Sequence, residues 1–437
     1  MSTPLTARIA EEHVQASRAV APAGALAARR RAALAALTAQ GLPGSRDENW
    51  KYANLRPLER LRFAPAPAAA PLAPGALPAA IPGFARYVFV DGVFAPALSA
   101  PLDATAAAVT LLAAAAEAAG TTATSAPGRT VPADERFALL NEAFATDGVS
   151  IRVAAGAARA ARLELVFVAR AESSEGASYP RTELRLDDEA QLTLIERHVS
   201  SAAGASFVNS AVTVDLGRGA CLHHYRLQEL APRAIAFDTL SAVVAAEASY
   251  RLFGISTGAQ SSRSTLAVRL AGERADLTLA VLALGDRQQV LDTYAPIEHA
   301  AANARTEQIF RGISAGRARV AFNGKITVTS EARGTDSRQS LRGLLAGPEA
   351  EIDVRPQLEI HTDEVRCSHG ATAGKLDDNM LFYLLSRGLE PEVAQQLLKW
   401  AFLEDVVAKI GLPELRSQVE KRLAHQVPEP GAQTESF

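Results

Sequence analysis

Apolar and polar residues alternate along the chain from about residue 149 to residue 360, a pattern that predicts β-strands. A short motif recurs within it: a turn, an alanine, any residue, and then an apolar residue that begins a strand. Its alanines are Ala190, Ala220, Ala248 and Ala275, which are 30, 28 and 27 residues apart, with looser copies at Ala318 and Ala350. One repeat of this length cannot bury its own inner face, so the pattern predicts a stacked β-solenoid with Leu192, Leu222 and Leu277 inside. The competing interpretation is a β-sandwich, in which turns would recur roughly every 8 to 12 residues.

Helical patterns flank the β-region. Residues 5–40 predict two helices divided near Pro22 and Gly24, and Asp91-Gly92 lies between two apolar runs, as in a hairpin. Residues 101–119 and 134–145 predict further helices. The expected organisation is a helical region over 1–63, an Ala/Pro linker with little to bury over 64–83, a hairpin and helices over 84–148, a β-core over 149–370, a helical region over 371–426 and a disordered tail over 427–437.

Candidate chemistry lies where the β-pattern gives way to a helical one, between residues 359 and 389. Cys367 and His369 are two positions apart, so an extended chain places the thiol and the imidazole on one side. A sulfur and a nitrogen donor side by side suit zinc, copper or an iron–sulfur species. Four protein ligands are needed for a closed zinc site, and no second pair at zinc spacing occurs. The pair is therefore either a packed turn or a half-site completed by another chain.

The helix that follows Pro391 is apolar around much of its circumference. Such a helix has to be covered on more than one side. Packing onto the core and docking of a partner both remain open at this stage. We take the surface around Trp400, Phe402 and Val406 as the candidate partner-binding surface.

Composition narrows the classes of function. The net charge of −3 over 437 residues argues against a nucleic-acid-binding protein, and two cysteines indicate no disulfide framework and fit a reducing compartment. No run of eighteen apolar residues predicts a membrane span, and acidic residues near the N-terminus argue against a signal peptide, so a cytoplasmic location is expected. Gly370 to Lys375 departs from a phosphate loop in spacing, neither GxSxG nor HExxH occurs, and no catalytic triad has local support in the sequence. We therefore expect no enzyme.

Several segments together resemble the SufB/SufD proteins of iron–sulfur cluster assembly. FNGKITV (Phe322–Val328), VRCSHGATAGKLDD (Val365–Asp378) and LFYLLSRGL (Leu381–Leu389) resemble the C-terminal region that the whole family shares. ENWKY (Glu48–Tyr52) and FVDGVF (Phe89–Phe94) resemble the SufD branch. The likeness runs in order from about residue 40 to residue 410.

This resemblance implies a right-handed parallel β-helix flanked by N-terminal and C-terminal helices. It also implies a non-enzymatic scaffold that binds SufB through the end of the β-helix core and the SufC ATPase through its C-terminal helices. His369 matches a histidine implicated, with a SufB cysteine, in building a transient iron–sulfur cluster at the interface between the two chains. Cys367 matches a family cysteine of less defined role, whereas His361 stands where the family often has an aromatic residue. No cofactor bound tightly to the isolated chain is expected, and homodimer formation by that chain is left open.

Two other classes of function remain for comparison. Parallel β-helices also form polysaccharide lyases and hydrolases, for which Glu359 and Asp363 would be the candidate carboxylates. Activity of the chain on acidic polysaccharides would favour that class. A free-standing metal-binding module is the third hypothesis, and metal analysis of the purified chain would test it.

Overall fold

Two parallel β-sheets, stacked coil upon coil, form the centre of the protein in the computed structural model. The structure describes residues 4–19, 24–44, 47–66, 72, 77–101, 107–112, 134–156, 160–170 and 176–426. Each coil contributes one strand to each sheet, and the solenoid has about seven turns. Sequential parallel pairing confirms the predicted solenoid and excludes the sandwich.

The first sheet contains β1 (Ala85–Val90), β2 (Val93–Phe94), β5 (Ala161–Ala169), β8 (Gln191–Ser200), β10 (Cys221–Glu229), β12 (Ser249–Ser256), β14 (Asp276–Gly285), β16 (Arg305–Ser314), β18 (Thr335–Leu345) and β20 (Val365–Gly374). The second sheet contains β3 (Ala108–Leu111), β4 (Val149–Val153), β6 (Ala177–Ser178), β7 (Arg181–Leu186), β9 (Phe207–Leu216), β11 (Ile235–Val244), β13 (Ser261–Leu270), β15 (Val290–His299), β17 (Arg319–Val328) and β19 (Glu351–Ile360).

The recurring alanine motif marks the turn that leads into each strand. Ala190, Ala220, Ala248 and Ala275 are all buried, and each directly precedes a strand of the first sheet. The residue before each alanine has a left-handed backbone, which glycine adopts readily and other residues rarely. These residues are Glu189, Gly219, Glu247 and Arg274, with φ between 60° and 65°. The backbone N–H of each donates to a carbonyl of the following coil, so the turns form a hydrogen-bonded ladder.

The two looser copies of the motif belong to the other sheet. Ala318 and Ala350 precede β17 and β19, whereas the next turn of the first sheet is Asn303-Ala304, with Asn303 at φ 59°. The six alanines that the sequence pattern grouped together therefore belong to two sets of turns, one before strands of the first sheet and one before strands of the second. Ala318 is buried like the alanines of the first sheet, where a small side chain lets the chain turn closely over the interior, whereas Ala350 in the last coil is half-buried.

Interior side chains stack in register from coil to coil. Leu192 pairs with Leu222, Leu222 with Tyr250, and Tyr250 with Leu277, and all four are buried. The prediction that Leu192, Leu222 and Leu277 lie in successive coils is confirmed. A single apolar core continues through the solenoid.

Helices cover the outer faces of the two sheets. The N-terminal helices α1 (Pro4–Ala19) and α2 (Gly24–Gln40), with α3 (Arg136–Phe144), pack on the second sheet. In the same layer Trp50 of the ENWKY segment stacks on Phe137 and Phe237. The C-terminal helices α4 (Asp378–Ser386), α5 (Pro391–Val407) and α6 (Pro413–Gln426) follow β20, and α5 and α6 pack on the first sheet. Within the described part of the chain, no helix is long and apolar enough to cross a membrane.

The segment before residue 149 differs from the expectation in three respects. Residues 108–111 form strand β3, not part of a helix, because they pair with β4. The solenoid begins earlier than residue 149, since β1 of the confirmed hairpin β1–β2 pairs in parallel with β5. Both ends of the predicted linker pack on the rest of the protein. Ile81 is 2% exposed, and the backbone N–H of Ala66 donates to the carbonyl of Ala177. Its middle and the predicted tail 427–437 lie outside the described residues, and the core strands extend to Gly374.

A buried histidine makes the stability of the fold depend on pH. His299 is fully buried between Thr306 and Thr335, and burial lowers its pKa to about 4. The unfolded chain takes up this proton near pH 6.5 and the folded chain only near pH 4, so stability is present above about pH 6.5 and lost as the pH falls. We predict a loss of about 2 kcal/mol from this residue at about pH 5.

Urea unfolding at neutral pH and at about pH 5 tests this prediction. His299→Gln should lose less unfolding free energy on acidification than the native chain. His361→Gln, at an exposed histidine, is the control and should behave like the native chain. Equal losses in all three proteins would contradict the assignment.

Candidate functional site

The solenoid is open at its C-terminal end. At the other end, the antiparallel strands β2 and β3 lie at the sheet edges. At the open end, β20 and β19 are the last strands of their sheets. Their inner side chains pack on the core beneath but have no further coil above them in the described chain, so Ile352, Val354, Leu358 and Val365 are only half-buried. Apolar residues in the last repeat of a solenoid need a cover.

Cys367 and His369 belong to this uncovered inner face. Cys367 pairs with Ser337 and His369 with Gln339, and both partners lie buried in the coil beneath. Side chains two residues apart on a strand project to one side, as the sequence analysis expected. Cys367 packs partly against the core, and His369 is exposed. The pair thus stands at the open end and not in a packed turn.

His369 is the exposed end of an interior polar column. In register beneath it lie Gln339 and then Gln308, joined by a hydrogen bond of 2.6 Å from the amide of Gln339. Gln339 also donates to the carbonyl of Gly324 at 3.1 Å. A Cβ at Gly324 would lie 2.2 Å from the Gln308 side-chain oxygen, so any other residue here would displace the hydrogen-bonded Gln308 amide. This contact gives a physical reason for the glycine in the FNGKITV segment.

The surroundings of Cys367 favour its protonated form. Burial raises the pKa of the thiol, and the nearby carboxylate of Asp336 raises it further. A thiol has to lose its proton before it binds a metal. His369 is thus the more available donor in the isolated chain.

His361 lies apart from this pair. Its Nε2 is 3.2 Å from Glu359, a residue on the outer face of β19 whose carboxylate forms an ion pair of 2.7 Å with Lys325. Lys325 and His361 lower the pKa of Glu359, which does not suit a general acid. The site gives the lyase hypothesis no support. Among the residues that the structure describes, no three His, Cys, Asp or Glu side chains form a group that could hold a metal ion.

Known proteins resemble the chain over the region that contains this site. The family model "SUF system FeS cluster assembly, SufBD core domain" matches residues 167–402, from β5 into α5. The SufD protein of Escherichia coli is 32% identical over 395 residues, which cover 89% of this chain and 90% of the relative. The chain belongs to the SufB/SufD family. Family membership supports a role in iron–sulfur cluster biogenesis.

Other family members show which branch fits best. A SufBD family protein of Synechocystis is 28% identical over 407 residues, covering 90% of this chain and 89% of the relative. The SufB protein of Bacillus subtilis is 26% identical over 274 residues, covering 62% of this chain and 58% of the relative. The fuller coverage by SufD makes this a SufD-type member of the family.

In the C-terminal helices of this SufD-type chain, the burial of Val406 differs from the expected partner surface. Val406 is 1% exposed, and it packs with Leu403 and Val407 against the outer face of the first sheet. Asp405 fixes the same helix through an ion pair with Arg311 of β16 at 2.7 Å. The expectation that the chain leaves Val406 uncovered is wrong, because the solenoid itself covers it. Trp400 and Phe402 are partly buried at the margin of that contact.

Several apolar residues of the C-terminal helices that the sequence analysis did not single out are exposed. Met380 and Phe382 of α4 are 60% and 72% exposed, and Val393 and Leu397 of α5 are each 47% exposed. Val393, Leu397 and Trp400 line a groove of about 380 Å³ between α5 and α6. The sequence did indicate that some apolar residues of α5 would be exposed, since this helix has more apolar positions than one contact face can bury. The sequence could not show which positions the solenoid would cover.

Sequence analysis also missed a buried ionic network inside the solenoid. Glu196 accepts from Arg226 at 2.7 Å and lies 2.6 Å from His198 and 3.2 Å from His224, and Arg226 also binds Asp238 at 2.6 Å. Burial alone would raise the pKa of the Glu196 carboxyl, but Arg226 and the histidines hold it well below its usual value. Along each strand, these residues are separated from the interior apolar residues by an even number of positions, so their side chains also point into the solenoid. The same alternation, read from the sequence, would have located them.

Proposed function

We propose that the chain is a non-catalytic scaffold subunit of iron–sulfur cluster assembly, and that it builds its site jointly with a SufB-type chain. The supporting observation is the open end of the solenoid, where an uncovered apolar face carries an exposed imidazole at His369. Family membership supplies the process. Relatives named as SufD and as SufB support pairing between two kinds of family member.

A second solenoid of the same family is the partner that fits this end best. Its own last coil would have the same two-sheet cross-section and the same free strand edges. Pairing of edges satisfies main-chain donors and acceptors, and contact of the inner faces removes the half-buried side chains from water. A homodimer of the isolated chain would use this same face, so it would compete with the SufB-type partner.

The ligand count supports a site shared between chains. His369 and Cys367 supply at most two donors, whereas tetrahedral metal coordination needs four. The remaining ligands would come from the partner across the interface. A neutral imidazole is a weaker ligand than a thiolate, which suits a cluster that is cargo and has to be released. The apolar rim of Ile352, Val354, Leu358 and Val365 would keep water from the growing cluster.

The groove between α5 and α6 is our proposed docking site for a SufC-type ATPase. Trp400 belongs to this site, as the sequence analysis expected. The other apolar contact residues are Val393 and Leu397, which are exposed, and not the buried Val406. Glu420 and Lys421 of α6 line the same groove and would give the partner polar contacts. The ion pair between Arg311 and Asp405 attaches this helix to β16, a strand of the sheet that ends in β20.

Charges placed on the open end should prevent association with the SufB-type partner. In Leu358→Glu/Val365→Glu, two carboxylates would be buried without counter-ions if the interface formed. Co-purification with the partner should be lost, while circular dichroism of the single chain stays unchanged. Arg366→Glu, on the outer face of β20, is the control and should still bind. Normal recovery of the partner with the double variant would exclude this face as the interface.

Loss of the imidazole should stop cluster assembly without breaking the complex. His369→Ala should reduce the iron content and visible absorbance of the anaerobically reconstituted complex by at least about tenfold, since even residues behind a ligand often matter that much. His361→Ala is the matched control at a nearby exposed histidine and should assemble clusters normally. If His369→Ala assembles clusters at the native level, His369 has no place in the mechanism.

Charged residues in the helical groove should remove the ATPase alone. Val393→Glu/Leu397→Glu should lose co-purification with the SufC-type subunit while keeping the melting temperature, because both side chains are exposed. Val406→Asp should instead destabilise the chain itself by at least about 3 kcal/mol, since it buries an unpaired charge. ATPase recovery that is unchanged in the groove variant would place the docking site elsewhere.

A further inference from the structure

A second groove, remote from the open end, has the properties of an anion-binding site. It lies between the segment 54–62 and the residues that lead into β9, β11 and β13, and its volume is about 640 Å³. Small-molecule sites in proteins typically enclose about 300 to 1,000 Å³. Neither the family resemblance nor the proposed scaffold function uses this groove.

Positive charge dominates the lining of this groove. Arg56, Arg60, Arg62 and Arg233 line it, against one carboxylate from Glu59. All four arginines are exposed, and within the described residues none of them forms an ion pair. Many other arginines of the chain are paired, as Arg8 is with Glu12 and Arg136 with Asp134. Four uncompensated guanidinium groups around one concavity attract anions.

The wall of the groove also contains enclosed residues. Ser206 is only 7% exposed, and its hydroxyl forms no hydrogen bond with the described residues. The buried apolar side chains of Phe207 and Ile235 also lie along the groove.

We propose that this groove binds a phosphorylated small molecule. A phosphate presents three oxygens, and the planar guanidinium group of arginine binds such oxygens in pairs. The apolar side chains give the non-phosphate part of the ligand a surface to pack on. An acidic peptide is less suited, because its carboxylates are spread along a chain and the donors here converge on one concavity.

Titration calorimetry of the full-length chain with ATP, inorganic pyrophosphate and adenosine tests the proposal. ATP and pyrophosphate should bind saturably and more weakly as salt is raised, and adenosine should not bind. Tighter binding of ATP than of pyrophosphate would identify a nucleotide, and equal binding would identify the phosphate group alone as the ligand. Arg60→Gln/Arg233→Gln should weaken binding by about tenfold or more, since charge-assisted contacts are lost.

The matched control is Arg305→Gln/Arg333→Gln, which removes two exposed arginines outside the groove. It should bind ATP as the native chain does, and Arg56→Gln/Arg62→Gln repeats the test if the first variant fails to fold. Equal weakening in the control variant, absence of phosphate binding, or binding of a hexaglutamate peptide in preference to both phosphates would overturn the proposal.

Discussion

In-register stacking of parallel coils is the constraint on which the rest of this structure depends. Each coil buries its inner side chains only against its neighbours, so every turn has to return the chain to the same register. In the turns of the first sheet, a left-handed residue and a small alanine achieve this return, and a ladder of hydrogen bonds between these turns maintains it. A shift of one residue would reverse the inner and outer faces of a strand. The turn residues therefore set the register of the strands, and the stacking of the coils depends on that register.

The same constraint creates the candidate site. A stack of coils has two ends, and each end leaves one inner face without a neighbour. Antiparallel strands lie at the edges of the N-terminal end, whereas at the C-terminal end Val365, Cys367 and His369 lie on the inner face of a coil that no further described coil covers. Residues that would form the next layer of the core in a longer solenoid thus become available to another chain. In the function that we propose, Cys367 and His369 need no dedicated pocket, because the end of the repeat supplies one face of the site and a partner would supply the other.

The C-terminal helices show why exposure cannot be inferred from composition. The sequence of α5 has apolar residues around most of its circumference, and nothing local distinguishes Val406 from Leu397. The solenoid buries the first and leaves the second exposed, because α5 crosses β16 with Arg311 bound to Asp405. The apolar surface that remains exposed is therefore on the opposite side of the helix, beside α6.

The sequence by itself determined the repeat, the inner leucines, the flanking helices and the pairing of Cys367 with His369 on one side of a strand. All of these follow from interactions between residues close in the chain or from a fixed spacing. Tertiary structure alone decided that this strand is the last one, that Glu196 and Arg226 neutralise each other inside the solenoid, and that four arginines converge on one groove. It also decided the pairing of residues 108–111 as a strand despite their helical composition. Such features depend on which distant segments become neighbours, and local propensity contains no information about that.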